Sequence, residues 1–237
     1  MSTREQAKKV LDEVGRVILG KKDCINKIMM AILAEGHVLV EDIPGVGKTT
    51  LGLAFAKTFG LEFGRVQFTP DVLPSDITGY SILDPKTGSM HYQKGAVLTN
   101  LFLADELNRA TSRTQAALLE AMEEGQVTVD GISHPLPQPF VVIATQNPVG
   151  AAGTQLLPDS QLDRFTLRLS LGYPSPRDEA AMVLSRQEGN PLHSLRAVIT
   201  RERLCALQEM VDATFINESV VGYIVSLIGA TRRHEEL

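Results

Sequence analysis

The first 60 residues show two patterns of apolar positions, a helical spacing and a short continuous run. The helical spacing predicts one helix from residue 2 to about residue 19, a second over residues 22–35 and a third over residues 48–59. The continuous run over residues 37–41 predicts a strand, and the segment between it and the third helix is rich in glycine. This order is typical of a phosphate-binding loop, because the turn and the helix N-terminus both present N–H groups.

Further along the chain, short apolar runs predict the remaining strands of a parallel sheet. The runs cover residues 65–68, 101–104, 140–145 and 162–171. The two middle runs are continuous, as expected for strands that are buried on both faces. Ser112, followed three residues later by Gln115, forms a capping-box pattern and predicts that a helix opens there.

Two segments predict β-hairpins, one near residues 80–93 and one near residues 126–136. The second contains Asp130-Gly131, a dipeptide that is favoured in tight hairpin turns. After residue 172 the strand pattern stops, and three candidate helix N-caps follow. These caps are Ser175, Thr200 and Asn217. We therefore predict an α/β nucleotide-binding domain over residues 1–172 and a small helical domain over residues 173–237.

The composition is that of a soluble globular protein, with 43% hydrophobic and 22% charged residues, which argues against a disordered chain. A net charge of −5 disfavours nonspecific binding to nucleic acid phosphates. The polar N-terminus resembles no signal peptide, and no apolar stretch approaches the length of a membrane span, so we expect a cytoplasmic protein. Cys24 and Cys205 lack histidines at metal-ligand spacing and predict neither a disulfide nor a zinc site.

The glycine-rich loop carries the first candidate chemistry. Lys48 is expected to contact the β and γ phosphates of ATP, and Thr49 is expected to hold Mg²⁺. The strict pattern has glycine at its first position, where this chain has Asp42, so a tight turn that only caps a helix is the alternative interpretation. The predicted ligands of ATP are Pro44, Gly45, Val46, Gly47, Lys48, Thr49, Thr50 and Asp105, of which Thr49 and Asp105 also bind Mg²⁺.

Polar residues at the ends of the later strands supply the candidate catalytic groups. Asp105 follows a buried strand, where a Mg²⁺ ligand is required, and the adjacent Glu106 can polarise the attacking water, although acidic pairs at strand ends are often merely solvated. Asn147 is expected to bind that water or the γ-phosphate; the alternative is a turn-forming residue before Pro148. Arg164 is either a surface residue that ties its own chain or an arginine finger that faces a neighbouring subunit.

The order of these motifs resembles the AAA+ ATPases, and several longer stretches resemble the MoxR family within them. These stretches are Glu41-Asp-Ile-Pro-Gly-Val-Gly-Lys-Thr, Phe68-Thr-Pro-Asp-Val-Leu-Pro-Ser-Asp-Ile-Thr-Gly, Leu103-Ala-Asp-Glu-Leu-Asn-Arg-Ala, Leu118-Leu-Glu-Ala-Met-Glu-Glu, Ala144-Thr-Gln-Asn-Pro and Leu162-Asp-Arg-Phe. They cover nearly the whole chain, and Asp42 fits them, because that family often has aspartate at this position.

The resemblance implies an α/β P-loop AAA+ module with a central parallel sheet flanked by helices, two inserted hairpins and a small helical lid. The hairpins correspond to a helix-2 insert and a pre-sensor-1 hairpin. The resemblance also implies a homo-oligomeric ring, usually hexameric, that acts as a chaperone on client proteins, often with a von Willebrand A domain partner. Arg164 is then the finger across the subunit boundary, with Arg109 and Arg113 as rivals.

The resemblance further implies that residues 173–237 are only the first part of the lid, which in the family continues into a helix with a second phosphate-sensing arginine. We therefore expect a truncated or naturally shortened chain that binds ATP and hydrolyses it slowly. Two other functions stay open. One is a nucleotide-gated scaffold, which would not need a water-polarising residue such as Glu106; the other is a ring motor like a magnesium chelatase or a replicative helicase.

Overall fold

The computed structural model describes residues 3–42, 45–147, 157–187 and 189–234. In chain order its helices and strands are α1 (Thr3–Gly15), α2 (Lys22–Leu33), β1 (Val38–Glu41), α3 (Lys48–Phe59), β2 (Phe63–Gln67), α4 (Pro74–Thr78), β3 (Gly79–Leu83), β4 (Met90–Lys94), β5 (Leu101–Asp105), α5 (Ser112–Glu124), β6 (Gln126–Val129), β7 (Ile132–Pro135), β8 (Val141–Gln146), α6 (Asp159–Leu162), β9 (Leu167–Leu169), α7 (Pro176–Gln187), α8 (Arg201–Asp212) and α9 (Glu218–Thr231). Short 3-10 turns cover Leu107–Arg109 and Pro191–Ser194.

The centre of the fold is a five-stranded sheet in the order β2-β5-β8-β1-β9. All of its pairs are parallel. The carboxyl ends of β1, β5 and β8 therefore meet at one edge of the sheet, with Val40 paired to Thr145 and Glu41 to Gln146. The predicted α/β architecture, with a central parallel sheet flanked by helices and two inserted hairpins, is confirmed.

The central strands β5 and β8 are buried along their whole length and largely apolar, because both faces of the sheet are covered there. Leu101 and Leu103 of β5 pack on one face in a core with α1, α2 and α3. Phe102 and Ala104, which alternate with them, pack on the other face in a core with α4 and α5.

Two antiparallel hairpins, β3–β4 and β6–β7, extend from the second face. The helix α4 ends at Thr78, directly before β3, and α5 is followed by β6 after one residue, Gly125. The rings of Tyr92 on β4 and His134 on β7 stack with centroids 3.7 Å apart and planes 11° from parallel, so the two hairpins contact each other. Asp130 and Gly131 both have positive φ, at 52° and 76°, as the predicted tight turn requires.

The C-terminal helices differ in how they are packed. Leu204 and Leu207 of α8 are fully buried in the core beside α2, and Gln208 Nε2 donates a hydrogen bond to the Ile32 carbonyl at 2.8 Å. In contrast, α9 contains no buried residue. The domain boundary after residue 172 stays a prediction, and α8 shows that the segment beyond it contributes to the core of the α/β part. Within the described ranges, no helix combines the length and apolar character that a membrane span needs.

Two predictions at element ends are wrong in detail. The N-cap of α5 is Thr111 rather than Ser112, because the Thr111 hydroxyl accepts the Thr114 N–H at 3.4 Å. Gln115 does not take part in a capping box; it is buried, and its amide donates to the carbonyls of Leu107, in the preceding 3-10 turn, and of Ala110, directly after that turn. The strand predicted over residues 162–171 is confined to Leu167–Leu169, because the segment before it folds into α6 and a turn in which Phe165 N–H donates to the Leu162 carbonyl.

Candidate functional site

The phosphate loop leaves the carboxyl end of β1 and enters α3 at Lys48, as predicted. Gly45 and Gly47 have φ values of +88° and +90°, a region that residues with a Cβ rarely adopt. A Cβ added at either position would meet no atom of the described residues within 4 Å. Thr49 and Thr50 lie in the first turn of α3, where free N–H groups point away from the helix. Pro44 lies outside the described residues.

The Lys48 side chain is buried, with 7% of its residue surface exposed. Its Nζ donates to the Asp42 carbonyl at 2.7 Å. Burial lowers the pKa of Lys48 from its ordinary value, and the carboxylates of Asp105, Asp42 and Glu106 partly oppose that shift. A buried ammonium group at the N-terminus of α3, beside the phosphate loop, is suited to bind an anionic phosphate.

Asp105 ends β5 and is 8% exposed. Both of its carboxylate oxygens are hydrogen-bonded: Oδ1 accepts from the Thr145 hydroxyl and Oδ2 from Arg65 Nη2, each at 2.8 Å. Thr145 lies on the adjacent strand β8, and Arg65 lies on β2 at the other side. These contacts fix the orientation of the carboxylate.

Glu106 adopts a left-handed backbone conformation with φ of 58°, which turns it away from the direction of β5. Its N–H donates to the Thr145 hydroxyl at 2.8 Å. Its Oε2 pairs with Arg109 Nη1 at 2.8 Å, and its Oε1 accepts from Asn147 Nδ2 at 3.2 Å. The hydrogen bond from Arg109 is the main reason that the pKa of Glu106 lies below its ordinary value, with further contributions from Asn147 and from Gln67.

Asn147 follows β8 and is held on both sides of its backbone by Asn108. Asn108 Nδ2 donates to the Asn147 carbonyl at 3.2 Å, and the Asn147 N–H donates to Asn108 Oδ1 at 3.4 Å. Asn147 Oδ1 is buried and has no hydrogen-bond partner among the described residues. A buried amide oxygen beside Glu106 is suited to accept a hydrogen bond from a water molecule.

A cavity of about 560 Å³ adjoins the phosphate loop. Its lining includes Gly45, Gly47 and Thr50 on one side, and Met182 and Arg186 of α7 on the other. Its volume is within the range of about 300 to 1,000 Å³ that is usual for small-molecule and cofactor sites. The residues present therefore fit a nucleotide, with its phosphates at the loop, and Thr49 and Asp105 could supply oxygen ligands to Mg²⁺.

Arg164 is the one predicted site residue, among those described, that is not part of this cluster. Its Nη1 pairs with Glu123 Oε1 of α5 at 2.6 Å, and both side chains are about half exposed, at 42% and 48%. Two residues further on, the Thr166 N–H donates to the His37 carbonyl at the amino end of β1. The phosphate loop of the same chain follows the opposite end of that strand.

Comparison with known proteins places this geometry in a family. The family model described as "ATPase family associated with various cellular activities (AAA)" matches residues 37–167, more than half of the chain. The uncharacterized protein YeaC of Bacillus subtilis is 47% identical over 226 residues, which are 95% of this chain and 71% of that protein. Chaperone MoxR1 of Mycobacterium tuberculosis is 39% identical over 95% of this chain and 59% of its own length.

The chain belongs to the MoxR family of AAA+ ATPases. A crystal structure described as a "putative ATPase" from Cytophaga hutchinsonii is 39% identical and superposes with a TM-score of 0.87, covering 97% of this chain and 69% of that one. The predicted family and the α/β P-loop AAA+ fold are thus confirmed.

Several residues of this MoxR-family site are not evident from the chain's local patterns. Thr145 bridges Asp105 and the Glu106 backbone, while Arg65 and Gln67 reach the acidic pair from β2. One signal was present: a polar threonine directly follows the continuous apolar run of β8, at a buried position where a hydroxyl without a partner would be costly.

Proposed function

We propose that this chain binds ATP with Mg²⁺ and hydrolyses it, and that it works in a homo-oligomeric ring that remodels, matures or activates partner proteins. The observation that carries the proposal is the meeting of a buried Lys48 with Asp105, Glu106 and Asn147 at the carboxyl edge of one parallel sheet. In open parallel sheets ligands bind at this edge. Membership in the MoxR family of ATPases supports the same assignment.

Each residue has a defined part in the proposed reaction. The loop N–H groups and Lys48 Nζ bind the phosphates, and Thr49 and Asp105 hold Mg²⁺, which neutralises phosphate charge when it is bound. Asn147 Oδ1 orients a water molecule, and Glu106 takes a proton from it as its oxygen attacks the γ-phosphorus. The bond between the γ-phosphorus and the bridging oxygen breaks, and ADP and phosphate leave.

A pair of variants tests the assignment. Lys48→Ala should abolish tight ATP binding, whereas Glu106→Gln should keep binding and slow turnover by on the order of 10²-fold, as loss of a general base does. Binding is measured with a fluorescent ATP analogue and turnover by phosphate release. Equal loss of nucleotide affinity in both variants would contradict the role of Glu106. Full affinity without turnover in the unaltered chain would instead favour a nucleotide-gated scaffold.

The proposal of a ring that acts on partner proteins is supported by family membership and by the position of Arg164. The arginine lies away from its own phosphate loop, as a group that acts on the neighbouring site would. The hexameric state, a von Willebrand A domain partner, a cytoplasmic location and slow turnover stay predictions. Sedimentation with and without ATP tests the ring, and capture of bound proteins by Glu106→Gln, compared with capture by Lys48→Ala, identifies clients that depend on the nucleotide.

A further inference from the structure

Asp42 occupies the first position of the phosphate loop, where the strict motif has glycine. It is 7% exposed, although aspartate is seldom so buried unless it is paired. Its Oδ2 accepts two hydrogen bonds, from Ser170 Oγ at 3.0 Å and from the Gly172 N–H at 2.6 Å. Both donors lie in the segment that leaves β9 and leads to α7. The aspartate therefore joins the entrance of the phosphate loop to the connection with the helical part.

The backbone of Asp42 is fixed as well. Its N–H donates to the Gln146 carbonyl at the end of β8, at 3.2 Å. Its carbonyl accepts the Lys48 ammonium at 2.7 Å. One residue thus contacts both the phosphate-binding lysine and the segment before α7. Any change in the position or hydrogen bonding of the Lys48 ammonium on phosphate binding would therefore act directly on Asp42.

The segment that Asp42 holds determines where α7 lies. Lys21 Nζ donates to the Tyr173 carbonyl at 2.7 Å and fixes the same segment from the side of α2. At the start of α7, Asp178 approaches the loop between α1 and α2 so closely that a Cβ on Gly20 would lie 2.3 Å from its Oδ2. The helix α7 then forms one wall of the cavity at the phosphate loop.

We propose that Asp42 is a positioning residue that couples phosphate binding at the loop to the placement of α7 over the nucleotide cavity. This inference rests on the proposed ATP binding and adds to it a route by which the helical part responds to nucleotide. A glycine in this position could make the same two backbone hydrogen bonds, to Gln146 and from Lys48. It could not accept the hydrogen bonds from Ser170 and Gly172, which the aspartate side chain accepts. The coupling is therefore a property of the aspartate side chain.

The test compares Asp42→Ala with Asp42→Asn, which keeps an acceptor oxygen, and with Glu41→Ala as the matched control. Glu41 is the preceding residue and pairs with Arg168 on β9, but it has no hydrogen bond to residues 170–174 among the described contacts. Hydrogen exchange of the full chain is measured without nucleotide and with the slowly hydrolysed analogue adenylyl imidodiphosphate plus Mg²⁺. The affinity for this analogue is measured in parallel.

In the unaltered chain we expect the analogue to slow exchange both at the phosphate loop and in α7. In Asp42→Ala the Gly172 amide should exchange faster without nucleotide, the slowing in α7 should be lost, and affinity should fall about tenfold, a usual size for such coupling. Asp42→Asn should restore part of each effect, and Glu41→Ala should change exchange around its two partners, Arg168 on β9 and Gln146 on β8, and not in α7. If Asp42→Ala does not fold, Ser170→Ala, which removes one of the two donors, replaces it with a smaller expected change.

If the analogue slows amide exchange in α7 equally in Asp42→Ala and in the unaltered chain, the proposed coupling is overturned. A nucleotide effect that is lost equally in Glu41→Ala would also overturn it, because the loop entrance as a whole would then be responsible. Failure of the proposed function has a different signature. In that case the analogue slows exchange nowhere in the unaltered chain, while the nucleotide-free exchange of Gly172 still shows whether Asp42 holds the segment.

Discussion

Replacing Arg109 by alanine tests whether its ion pair with Glu106 restrains the proposed base. The two side chains meet at 2.8 Å, with 38% of Arg109 and 17% of Glu106 exposed. A pair that water screens to this extent is worth about 1 kcal/mol, and Glu106 must give up that energy to present Oε2 to a water molecule. A barrier lower by about 1 kcal/mol corresponds to a rate about fivefold higher. We expect kcat to rise by this factor and KM for ATP to change little, because Lys48 is untouched.

The assay is steady-state phosphate release at saturating ATP and Mg²⁺. Arg201→Ala is the matched control, since Arg201 is likewise a partly exposed arginine beside a glutamate, Glu202, and lies at the start of α8. A fall in kcat in Arg109→Ala would refute the reasoning, because the guanidinium would then assist the chemistry. An unchanged kcat would refute it too, since the pair would then not oppose the reaction.

Three further predictions concern other parts of the molecule. Thr145→Val should lower the free energy of unfolding by about 2 kcal/mol, because it removes a buried hydroxyl that bridges the acidic pair. Thermal unfolding measures the loss, and Thr145→Ser, which keeps the hydroxyl, is the control. An unchanged melting temperature in Thr145→Val would contradict the bridge. Burial lowers the pKa of His37, so the unfolded chain binds a proton that the folded chain does not as pH falls below 6.5. Stability should therefore decline below that pH, and an equal decline in His37→Gln melting curves would assign it to other groups. Arg164→Ala subunits mixed with Lys48→Ala subunits should regain some ATPase activity, because each variant damages a different half of a shared site. Phosphate release measures this activity. Absence of rescue in mixed rings would show that the arginine acts within its own chain.

The parts of the site that follow one stretch of chain could be predicted from the sequence. The helix α3 runs from Lys48 to Phe59, as the spacing predicted, and ends at Gly60, whose φ of 62° suits a glycine cap. The buried strands that lead to Asp105 and Asn147 were also found, because each begins with a continuous apolar run, as is usual for a strand covered on both faces. These features depend on local spacing and backbone preference.

The contacts around the acidic pair depend on strand order, which local patterns do not contain. Arg65 and Gln67 reach Asp105 and Glu106 because β2 pairs with β5 in a register that sets Gln67 beside Asp105. The capping box predicted at Ser112 and Gln115 was wrong for a related reason. A glutamine three residues into a helix fits a capping box locally, but Gln115 faces the core, where the carbonyls in and directly after the 3-10 turn need a donor.

The stacked rings of Tyr92 and His134 have a mechanical consequence for the two hairpins. An isolated two-stranded hairpin is only marginally stable in water, and here each hairpin braces the other. The helix α4 leads into β3, α5 leads into β6, and the two helices pack together. A force applied to the tip of either hairpin is therefore transmitted to this pair of helices. The far end of α5 is joined through the 3-10 turn to Glu106. A force at the hairpin tips can therefore reach Glu106, the proposed general base, through two short elements, α5 and the 3-10 turn.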